Sequence, residues 1–284
     1  FRDALGLPPG PETRVDDPAR VRLLGLAPGT TIRTVDVAAG QQAITLSAFD
    51  PPGHPYPSAR ASNDPWFEHV ALVCGDIDVV HARIAAHQTG IITAGGPVRL
   101  PPNTGRVAAF KLRDPEGHPL ELIAFPEGVG APVWHALPGE GILGFDHTAI
   151  AVTDLDRSLA FYEGLLGFTV GGRSLNRGPE QDRLDGLQGC AVDVVALEPA
   201  AVAVPHVELL HYRTPPGRPA SGPVAASDIA SVRQIHRTDD LDALTGRLAA
   251  AGTDFVSDGI VTLADGRRAA AVRDPDGHMI ILTG

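Results

Sequence analysis

The chain has 284 residues, of which 43% are hydrophobic, and its formal net charge is −11 at pH 7. This length and apolar fraction suffice for one large domain or two of ordinary size. The negative charge disfavours nucleic acid and anionic membrane as partners, and no apolar run approaches the roughly 18 residues that cross a bilayer. Cys74 and Cys190 lie in separate apolar runs and not in a CxxC pair, which favours reduced thiols and a cytoplasmic location.

Repeated signatures divide the chain into four units, of which the first covers residues 1–53. The short Leu-Gly-Leu segment at 5–7 matches Leu-Gly-Phe at 166–168, so the two halves of the chain are offset by about 160 residues. On this alignment we expect the first strand and most of the helix of the first unit to precede Phe1. A strand missing from a sheet leaves unpaired edge groups.

The second unit (65–125) and the third unit (144–217) open with nearly the same segment. The matching runs are Phe67-Glu68-His69-Val70-Ala71-Leu72 and Phe145-Asp146-His147-Thr148-Ala149-Ile150. In each, an apolar run with a histidine near its start reaches an Asp-x-Asp helix opening, at Asp76 or Asp154. The repetition predicts two equivalent strand-to-helix connections.

The fourth unit (228–284) keeps the helix opening at Asp240 but has Arg233 where the histidine should be. It shares with the second unit the signature Arg-Asp-Pro-x-Gly-His, at 113–118 and 273–278. Proline fixes φ and glycine is free to take positive φ, so each copy predicts a hairpin turn that leads into a final strand.

Each unit is predicted to consist of a strand, an amphipathic helix and three more strands, which makes the chain an α+β protein of four βαβββ modules. We expect two halves, 1–125 and 144–284, joined by a Pro- and Gly-rich linker at 126–143. Further joints are expected at 50–64 and 213–227. The polar segment Asn176 to Gln181 is predicted to be a loop, which either closes over a substrate or is simply solvated.

These units resemble the vicinal oxygen chelate superfamily, which includes glyoxalase I, extradiol dioxygenases and bleomycin-resistance proteins. The resemblance covers essentially the whole chain. It implies that modules pair into cupped mixed β-sheets and that metal ligands come from the first and last strands of each module. The positions carried over on this resemblance are His69 and Glu121 in the second unit, His147 and Glu208 in the third, Ile44 in the first, and Arg233 and Ile281 in the fourth.

The ligand count predicts how the modules pair. If the second unit pairs with the third, one cavity gathers both histidines and both glutamates, and the other cavity gathers none. The alternative pairing gives each cavity one His and one Glu, and two protein ligands rarely hold a catalytic metal. We therefore expect one divalent metal ion, Fe, Mn, Ni, Co or Zn, in a single cavity.

The residues themselves support this interpretation. A single strand histidine is more often a half-buried structural residue than a ligand. Here the pattern occurs twice in register, and each histidine is followed by a glutamate in an otherwise apolar strand. Glu121 lies between two leucines, and Glu208 lies between Val207 and Leu209. A buried carboxylate requires a partner, which favours ligation. His206 has the parity of Glu208 and is expected at the rim of the site.

The ligand set is similar to that of bacterial glyoxalase I, which implies a lyase or isomerase that acts on a small oxygenated substrate through a metal-stabilised enediolate. Glu121 or Glu208 would then carry the proton, and Lys111 would bind an anionic group if it lines the cavity. Two alternatives stay open: an extradiol ring-cleaving dioxygenase, disfavoured because Lys111 occupies the place of its tyrosine, and a metabolite- or drug-binding resistance protein. The expected partner is a small molecule, and the chain is expected to be a monomer or homodimer.

Overall fold

The computed structural model describes residues 1–87, 89–218 and 222–284. Residue 88, within the second expected unit, lies outside the described residues. So do residues 219–221, which belong to the joint expected at 213–227. Within the described part of the chain, no helix is both long and apolar enough to span a membrane.

The first unit forms a small antiparallel sheet with two short helices. Its elements are α1 (Arg2–Leu5), β1 (Thr13–Val15), α2 (Pro18–Leu23), β2 (Thr31–Ala39) and β3 (Gln42–Asp50). The strands are ordered β1-β2-β3. Helix α2 begins at Pro18 because the Asp17 carboxylate accepts a 2.9 Å hydrogen bond from the Ala19 amide, and proline needs no donor at a first helical position.

The second unit follows the predicted order of a strand, a helix and further strands. Its elements are β4 (Glu68–Cys74), α3 (Ile77–Ala85), β5 (Gly90–Ile91), β6 (Val98–Arg99), β7 (Ala108–Arg113) and β8 (Pro119–Ala124). The Asp76 side chain accepts hydrogen bonds from the amides of Asp78 and Val79, so the Asp-x-Asp segment caps α3 as expected. Ile77, Val80 and Ile84 form the buried stripe of this helix at helical spacing.

The third unit is preceded by a short helix inside the expected linker and contains one helix that the sequence analysis did not predict. The elements are α4 (Pro132–Ala136), β9 (Ile142–Ala151), α5 (Leu155–Leu159), a π-helical continuation (Ala160–Leu165), β10 (Thr169–Arg177), α6 (Pro179–Asp185), β11 (Ala191–Glu198) and β12 (His206–Thr214). The loop expected at 176–181 is wrong. Residues 176–177 end β10, and α6 runs from Pro179 to Asp185 and is followed by Gly186, whose φ of 65° is left-handed.

The fourth unit repeats the pattern on a four-stranded sheet. Its elements are β13 (Arg233–Arg237), α7 (Leu241–Ala250), β14 (Val261–Thr262), β15 (Arg268–Arg273) and β16 (Met279–Thr283). The predicted turns before the last strands are confirmed. Asp114 Oδ1 accepts from the amides of Glu116, Gly117 and His118, and Asp274 Oδ1 accepts from those of Asp276 and His278.

A nine-stranded mixed sheet joins the second and third units. Its main order is β10-β11-β12-β9-β4-β8-β7-β5, with β6 also paired to β7. At the join β4 runs antiparallel to β9, with His69 opposite Ala149. Strands β8 and β12 flank this pair, each parallel to its neighbour. The two units thus combine in the arrangement that the ligand count favoured.

The first and fourth units do not share a sheet, which corrects the expectation that all modules pair through their strands. In the described residues β13 pairs only with β16, and β3 pairs only with β2. The two units instead meet through side chains. Ala19, Val21 and Leu23 of α2 share one buried core with Met279 and Ile281 of β16.

The two faces of the central sheet are covered differently. On one face, α3 packs against Leu72 and Leu122, and α5 packs against Ile150 and Leu209. The opposite face carries smaller apolar clusters around Ala71, Val73, Ala149 and Ala151. Side chains alternate along a strand, so His69 and His147 project on this second face, beside the alanines.

Candidate metal centre

Four adjacent strands each contribute one of the residues predicted to bind metal. Glu208, His147, His69 and Glu121 lie on β12, β9, β4 and β8, which are neighbours in that order. The two histidines therefore occupy the middle strands and the two glutamates the outer ones. The side chains of His69, His147 and Glu121 are 2%, 3% and 7% exposed, and that of Glu208 is 21% exposed.

The side-chain atoms of these residues converge on one point. Glu121 Oε2 lies 3.0 Å from His69 Nε2 and 3.4 Å from His147 Nε2. Glu208 Oε2 lies 3.6 Å from the same His147 nitrogen. The ligand atoms of His69, Glu121 and His147 all lie within 4.8 Å of one another. The structure thus brings together all four residues that the resemblance predicted as metal ligands.

Asp146 fixes the orientation of His147. Its Oδ2 lies 3.0 Å from His147 Nδ1, and its Oδ1 accepts a 2.6 Å hydrogen bond from Trp134 Nε1. Because Nδ1 faces the carboxylate, Nε2 is the nitrogen directed at Glu121 and Glu208. This nitrogen is buried and has no hydrogen-bond partner among the described residues. A carboxylate behind a histidine whose other nitrogen is free is the usual support of a metal-ligating imidazole.

Electrostatics at the site favour a positive charge between the carboxylates. Burial alone raises the pKa of Glu121, but the charges of Lys111 and His69 outweigh it and hold the pKa well below its ordinary value. Burial likewise raises the pKa of Glu208, and His147 and His206 reverse this and lower it to about 2. Both glutamates are therefore ionised at neutral pH.

The pKa values of His69 and His147 are shifted in opposite directions. Burial and the charge of Lys111 lower the pKa of His69, and Glu121 only partly opposes them. Burial also disfavours protonation of His147, but Glu208, Asp146 and Glu121 together raise its pKa well above 6.5. Two carboxylates facing one imidazole thus demand a cation there, which is either a proton on His147 or a metal ion in its place.

Lys111 lies beside the site but is neutralised by an aspartate that the sequence analysis missed. Lys111 Nζ is 2.7 Å from Asp185 Oδ1, and both side chains are at most 5% exposed. Asp185 Oδ2 also accepts from Gln181 Nε2 at 2.7 Å and from the Tyr212 hydroxyl at 3.1 Å. Since Lys111 is opposite Glu121 in the β7–β8 ladder, its charge still acts on that glutamate. It is not a free cation awaiting an anionic ligand.

Helix α6 covers this side of the central sheet. The Ser62 hydroxyl donates to the Asp185 carbonyl, and the Thr93 hydroxyl donates to the Leu184 carbonyl. Through these bonds α6 is tied to residues outside its own unit, including Thr93 of the second unit. In the sequence, only local features indicate helix α6: a proline and a glutamate at its start and a glycine after its end.

His206 lies at the rim, as expected. Its Nε2 is 3.6 Å from Glu208 Oε1, its Nδ1 is 3.9 Å from Asp146 Oδ2, and its side chain is 16% exposed. It is thus a partly open polar contact of Glu208.

The donor set fits a divalent transition metal. Two imidazole nitrogens and two carboxylate oxygens suit Fe, Mn, Co, Ni or Zn better than Ca or Mg. The buried, unpartnered Nε2 of His147 supports this fit, because an enclosed polar atom without a partner costs free energy that a bound ion would offset.

In the described residues, the corresponding positions of the first and fourth units hold no histidine or glutamate that could bind a metal ion. Arg233 and Ile281 lie where ligands would be, and Ile281 belongs to the core shared with α2. Ile44 does not face that core. It pairs with Val37 in the β2–β3 ladder and packs against the core of α3 and β4, so its assignment to the second cavity is wrong. Phe49, which pairs with Ile32, is the β3 residue on that side.

The fold and the site together define an α+β protein in which repeated units present two His and two Glu on one face of a mixed sheet. Residues 144–282 match the family model described as "Glyoxalase/Bleomycin resistance protein/Dioxygenase superfamily". The segment 144–282 therefore belongs to this superfamily, the vicinal oxygen chelate proteins, which the repeated motifs were predicted to resemble. Members are often enzymes that act on small molecules, and they commonly bind a divalent metal.

Solved structures agree on the fold. Glyoxalase I from Zea mays aligns with 100% of this chain and 85% of its own length, at 16% identity and a TM-score of 0.62. A putative dioxygenase from Bacillus subtilis subsp. subtilis str. 168 aligns with 100% of this chain and 78% of its own, at 17% identity and a TM-score of 0.58. At these identities the likeness concerns the fold alone. No curated protein sequence matches the chain.

Proposed function

We propose that this chain is a metal-dependent enzyme of the glyoxalase I type, a lyase or isomerase that moves a proton between adjacent carbons of a small oxygenated substrate. The observation that carries the proposal is the convergence of His69, Glu121, His147 and Glu208 around the buried, unpartnered Nε2 of His147. These four residues would hold one divalent ion. When bound, the ion would supply Lewis-acid stabilisation of negative charge on the substrate oxygens.

Glu208 is the stronger candidate for the base. Its side chain is 21% exposed whereas that of Glu121 is 7% exposed, so Glu208 is the carboxylate that a substrate reaches more easily. Its low pKa keeps it ionised at neutral pH. His206, 3.6 Å away, supplies a polar route from Glu208 to solvent. Glu121 stays ionised beside Lys111 and holds the two histidines in place.

Lys111 and Asp185 act on the site indirectly. Their buried ion pair keeps a positive charge next to Glu121 and ties the end of α6 to β7. The low exposure of the four converging residues indicates that water is largely excluded from them. Exclusion of water strengthens the electrostatic interactions on which proton transfer depends.

Elemental analysis of purified protein tests the metal assignment. We expect about one equivalent of a divalent transition metal in the wild type and its loss in His147→Ala. His211→Ala is the matched control, because His211 is a partly exposed histidine of the same strand as Glu208 that contacts Asp193 and not the site. A wild-type protein that takes up no metal from Fe, Mn, Ni, Co or Zn would overturn the proposal.

Two assays then separate the reaction types. The isomerase proposal predicts turnover of hemithioacetals formed from an α-oxoaldehyde and a thiol, and loss of this turnover in a folded Glu208→Gln variant. Oxygen uptake with catechols in the Fe(II)-loaded protein, without turnover of hemithioacetals, would instead identify a ring-cleaving dioxygenase. A metal-loaded protein that binds such compounds but converts none would be a binding protein.

A further inference from the structure

The last turn of the fourth unit carries a buried histidine that contacts the two central strands of the candidate metal centre. His278 Nε2 lies 3.0 Å from the carbonyl oxygen of Ala151, the last residue of β9. Its Nδ1 lies 3.6 Å from Oε2 of Glu68, the first residue of β4. The side chains of His278 and Glu68 are 5% and 4% exposed. One imidazole of a unit that provides no predicted ligand therefore bridges the strands of His69 and His147.

These two contacts need the charged form of the His278 ring. Each ring nitrogen faces an oxygen acceptor, and only an imidazolium carries a hydrogen on both nitrogens. Burial disfavours the charged form, but the charge of Asp274 and the contact with Glu68 outweigh burial and raise the pKa of His278 to about 9. At neutral pH the ring can therefore donate to β4 and β9 at the same time.

The turn that contains His278 is itself fixed to the third unit. The Tyr162 hydroxyl donates to Asp274 Oδ2 at 3.2 Å. The amide of Thr153, two residues after the end of β9, donates to Asp276 Oδ2 at 3.1 Å, and the Thr153 hydroxyl donates to the same carboxylate. The imidazole is thus held against the two strands from a turn that is anchored beside them.

The contact between units is not a general property of this turn motif. His118 occupies the same place in the Arg-Asp-Pro-x-Gly-His turn of the second unit. Its Nδ1 lies 3.1 Å from Asp114 Oδ2 within its own turn, and its side chain is 25% exposed. Two histidines in the same motif therefore have different partners, and only that of the fourth unit bridges β4 and β9.

The pairing of β4 with β9 is regular only beside this contact. The regular part consists of three consecutive pairs: Glu68 with Ile150, His69 with Ala149, and Val70 with Thr148. Beyond Val70 the register shifts twice. A slip of one residue in strand pairing moves every side chain to the opposite face, so a slip here would remove His69 from the site. His278 contacts both strands at the end where the ligand residues are in register.

The energetics of the Glu68 and His278 pair favour a role in selecting this register. Compared with apolar side chains of similar volume, a buried ion pair adds little stability, because desolvation offsets the attraction of the charges. Glu68 Oε1 shows part of this cost, since it is buried without a hydrogen-bond partner among the described residues. What such a pair can supply is a single preferred arrangement, because any other arrangement leaves a buried charge without its partner.

We propose that His278 and Glu68 form a register clamp, which holds β4 and β9 in the pairing that places His69 and His147 on one face of the sheet. The fourth unit thereby positions the metal centre although it provides none of the four converging residues. His278 is a positioning residue, since it acts through the two strands. Its effect on metal binding rests on the proposed function, whereas its effect on the strands does not.

Amide hydrogen exchange in the full chain, after treatment with a chelator, tests the clamp without reference to metal. In His278→Asn we expect the amides of the three regular pairs to exchange at least about tenfold faster, because local opening of this ladder becomes easier. Amides of the β10–β11 ladder should keep their rates. Glu68→Gln removes the other half of the clamp and should have the same local effect. His118→Asn, the same change in the matching turn, should have none.

Chelator competition and the visible spectrum of the Co(II)-loaded protein test the consequence for the metal centre. His278→Asn and Glu68→Gln should each bind metal about tenfold more weakly, as is typical when residues that orient ligands are lost. Their Co(II) spectra should also change, whereas a loss of stability alone would leave the ligand geometry and the spectrum as in the wild type. His118→Asn should match the wild type in both measurements.

The two measurements separate this proposal from the proposed function. Wild-type exchange rates at the three pairs in folded His278→Asn and Glu68→Gln proteins would overturn the clamp, whether or not the chain binds metal. Faster exchange combined with unchanged metal affinity and spectrum would overturn its role at the metal centre. If the wild type takes up no metal, the proposed function fails, and the exchange rates alone decide whether the clamp exists.

Discussion

Trp134 and Asp146 are joined by a 2.6 Å hydrogen bond from the indole nitrogen to Oδ1, although Trp134 belongs to the segment expected to be a linker. The indole is 6% exposed and packs with Ala71 and Val73 beneath the central sheet. Helix α4, within segment 126–143, therefore packs against the central sheet and is not part of a flexible linker. It forms a wall of the candidate metal centre and supports the residue that orients His147.

Replacing Asp146 with asparagine should weaken metal binding without removing any ligand. The amide keeps the shape but loses the charge that sets the tautomer and basicity of His147. Loss of such a supporting carboxylate typically costs about 10- to 100-fold in metal affinity. Competition with a chelator of known affinity measures the change. Asp193→Asn, which affects contacts with Arg213 and His211 away from the four converging residues, is the control and should leave the affinity unchanged.

Removing the positive charge of Lys111 should destabilise the protein strongly. In Lys111→Met, Asp185 is left as a buried anion without its cation, which costs on the order of 3–5 kcal/mol. The double variant Lys111→Met/Asp185→Asn should be more stable than the sum of the single changes predicts, because the two groups are coupled. Urea unfolding of the four proteins measures this coupling.

The exposed ion pair of Arg268 and Asp242 is the control for the Lys111 and Asp185 variants. Its atoms are also 2.7 Å apart, but the side chains are 46% and 67% exposed. Arg268→Met should therefore change the free energy of unfolding by no more than about 1 kcal/mol. Equal losses in Arg268→Met and Lys111→Met would show that burial of the Lys111–Asp185 pair has no special consequence.

His278 should make stability fall in mildly alkaline solution. Burial lowers its pKa, but the charges of Asp274 and Glu68 and a hydrogen bond to Glu68 outweigh this and raise it to about 9, above the ordinary 6.5. The folded state therefore holds a proton that the unfolded chain releases first. The resulting stabilisation is complete below about pH 6.5 and is lost as the pH rises through about 9.

Unfolding free energies across this pH range test the prediction. The decline should be on the order of 3 kcal/mol, since each tenfold difference in proton affinity corresponds to about 1.4 kcal/mol. His278→Asn should flatten the decline, and His87→Asn, at an exposed position, should keep it. An unchanged pH dependence in a folded His278→Asn protein would assign the decline to another group.

Gly75 and Gly141 offer a matched pair for the contact between β4 and the segment before β9. The Gly75 amide donates to the Gly141 carbonyl at 2.9 Å, and a Cβ added at Gly75 would lie 1.9 Å from the Gly139 carbonyl oxygen. A Cβ at Gly141 would meet nothing within 4 Å. Gly75→Ala should therefore lower the unfolding free energy by about 1–3 kcal/mol, and Gly141→Ala by much less. Equal effects in the two variants would contradict the close contact.

The repeats located the two histidines, and the resemblance to the vicinal oxygen chelate proteins added Glu121 and Glu208 to complete the set of four. The alternation of strand residues then determined which side chains share a face, as for His69 and Ala71. Sequence reasoning could not find Asp185, because the partner Lys111 is 74 residues away and only the covering position of α6 brings them together. It assigned Ile44 to the wrong face for a related reason. A one-residue uncertainty in strand alignment moves a side chain to the opposite side of a sheet.

Strands β4 and β9 pair within one polypeptide, so formation of the metal centre should not depend on protein concentration. Where two separate subunits supply the halves of a site, dilution takes the site apart. Here the strands that carry His69 and His147 are tethered, so their association is unimolecular and survives at any dilution at which the chain stays folded. Metal occupancy should thus depend on free metal but not on protein concentration.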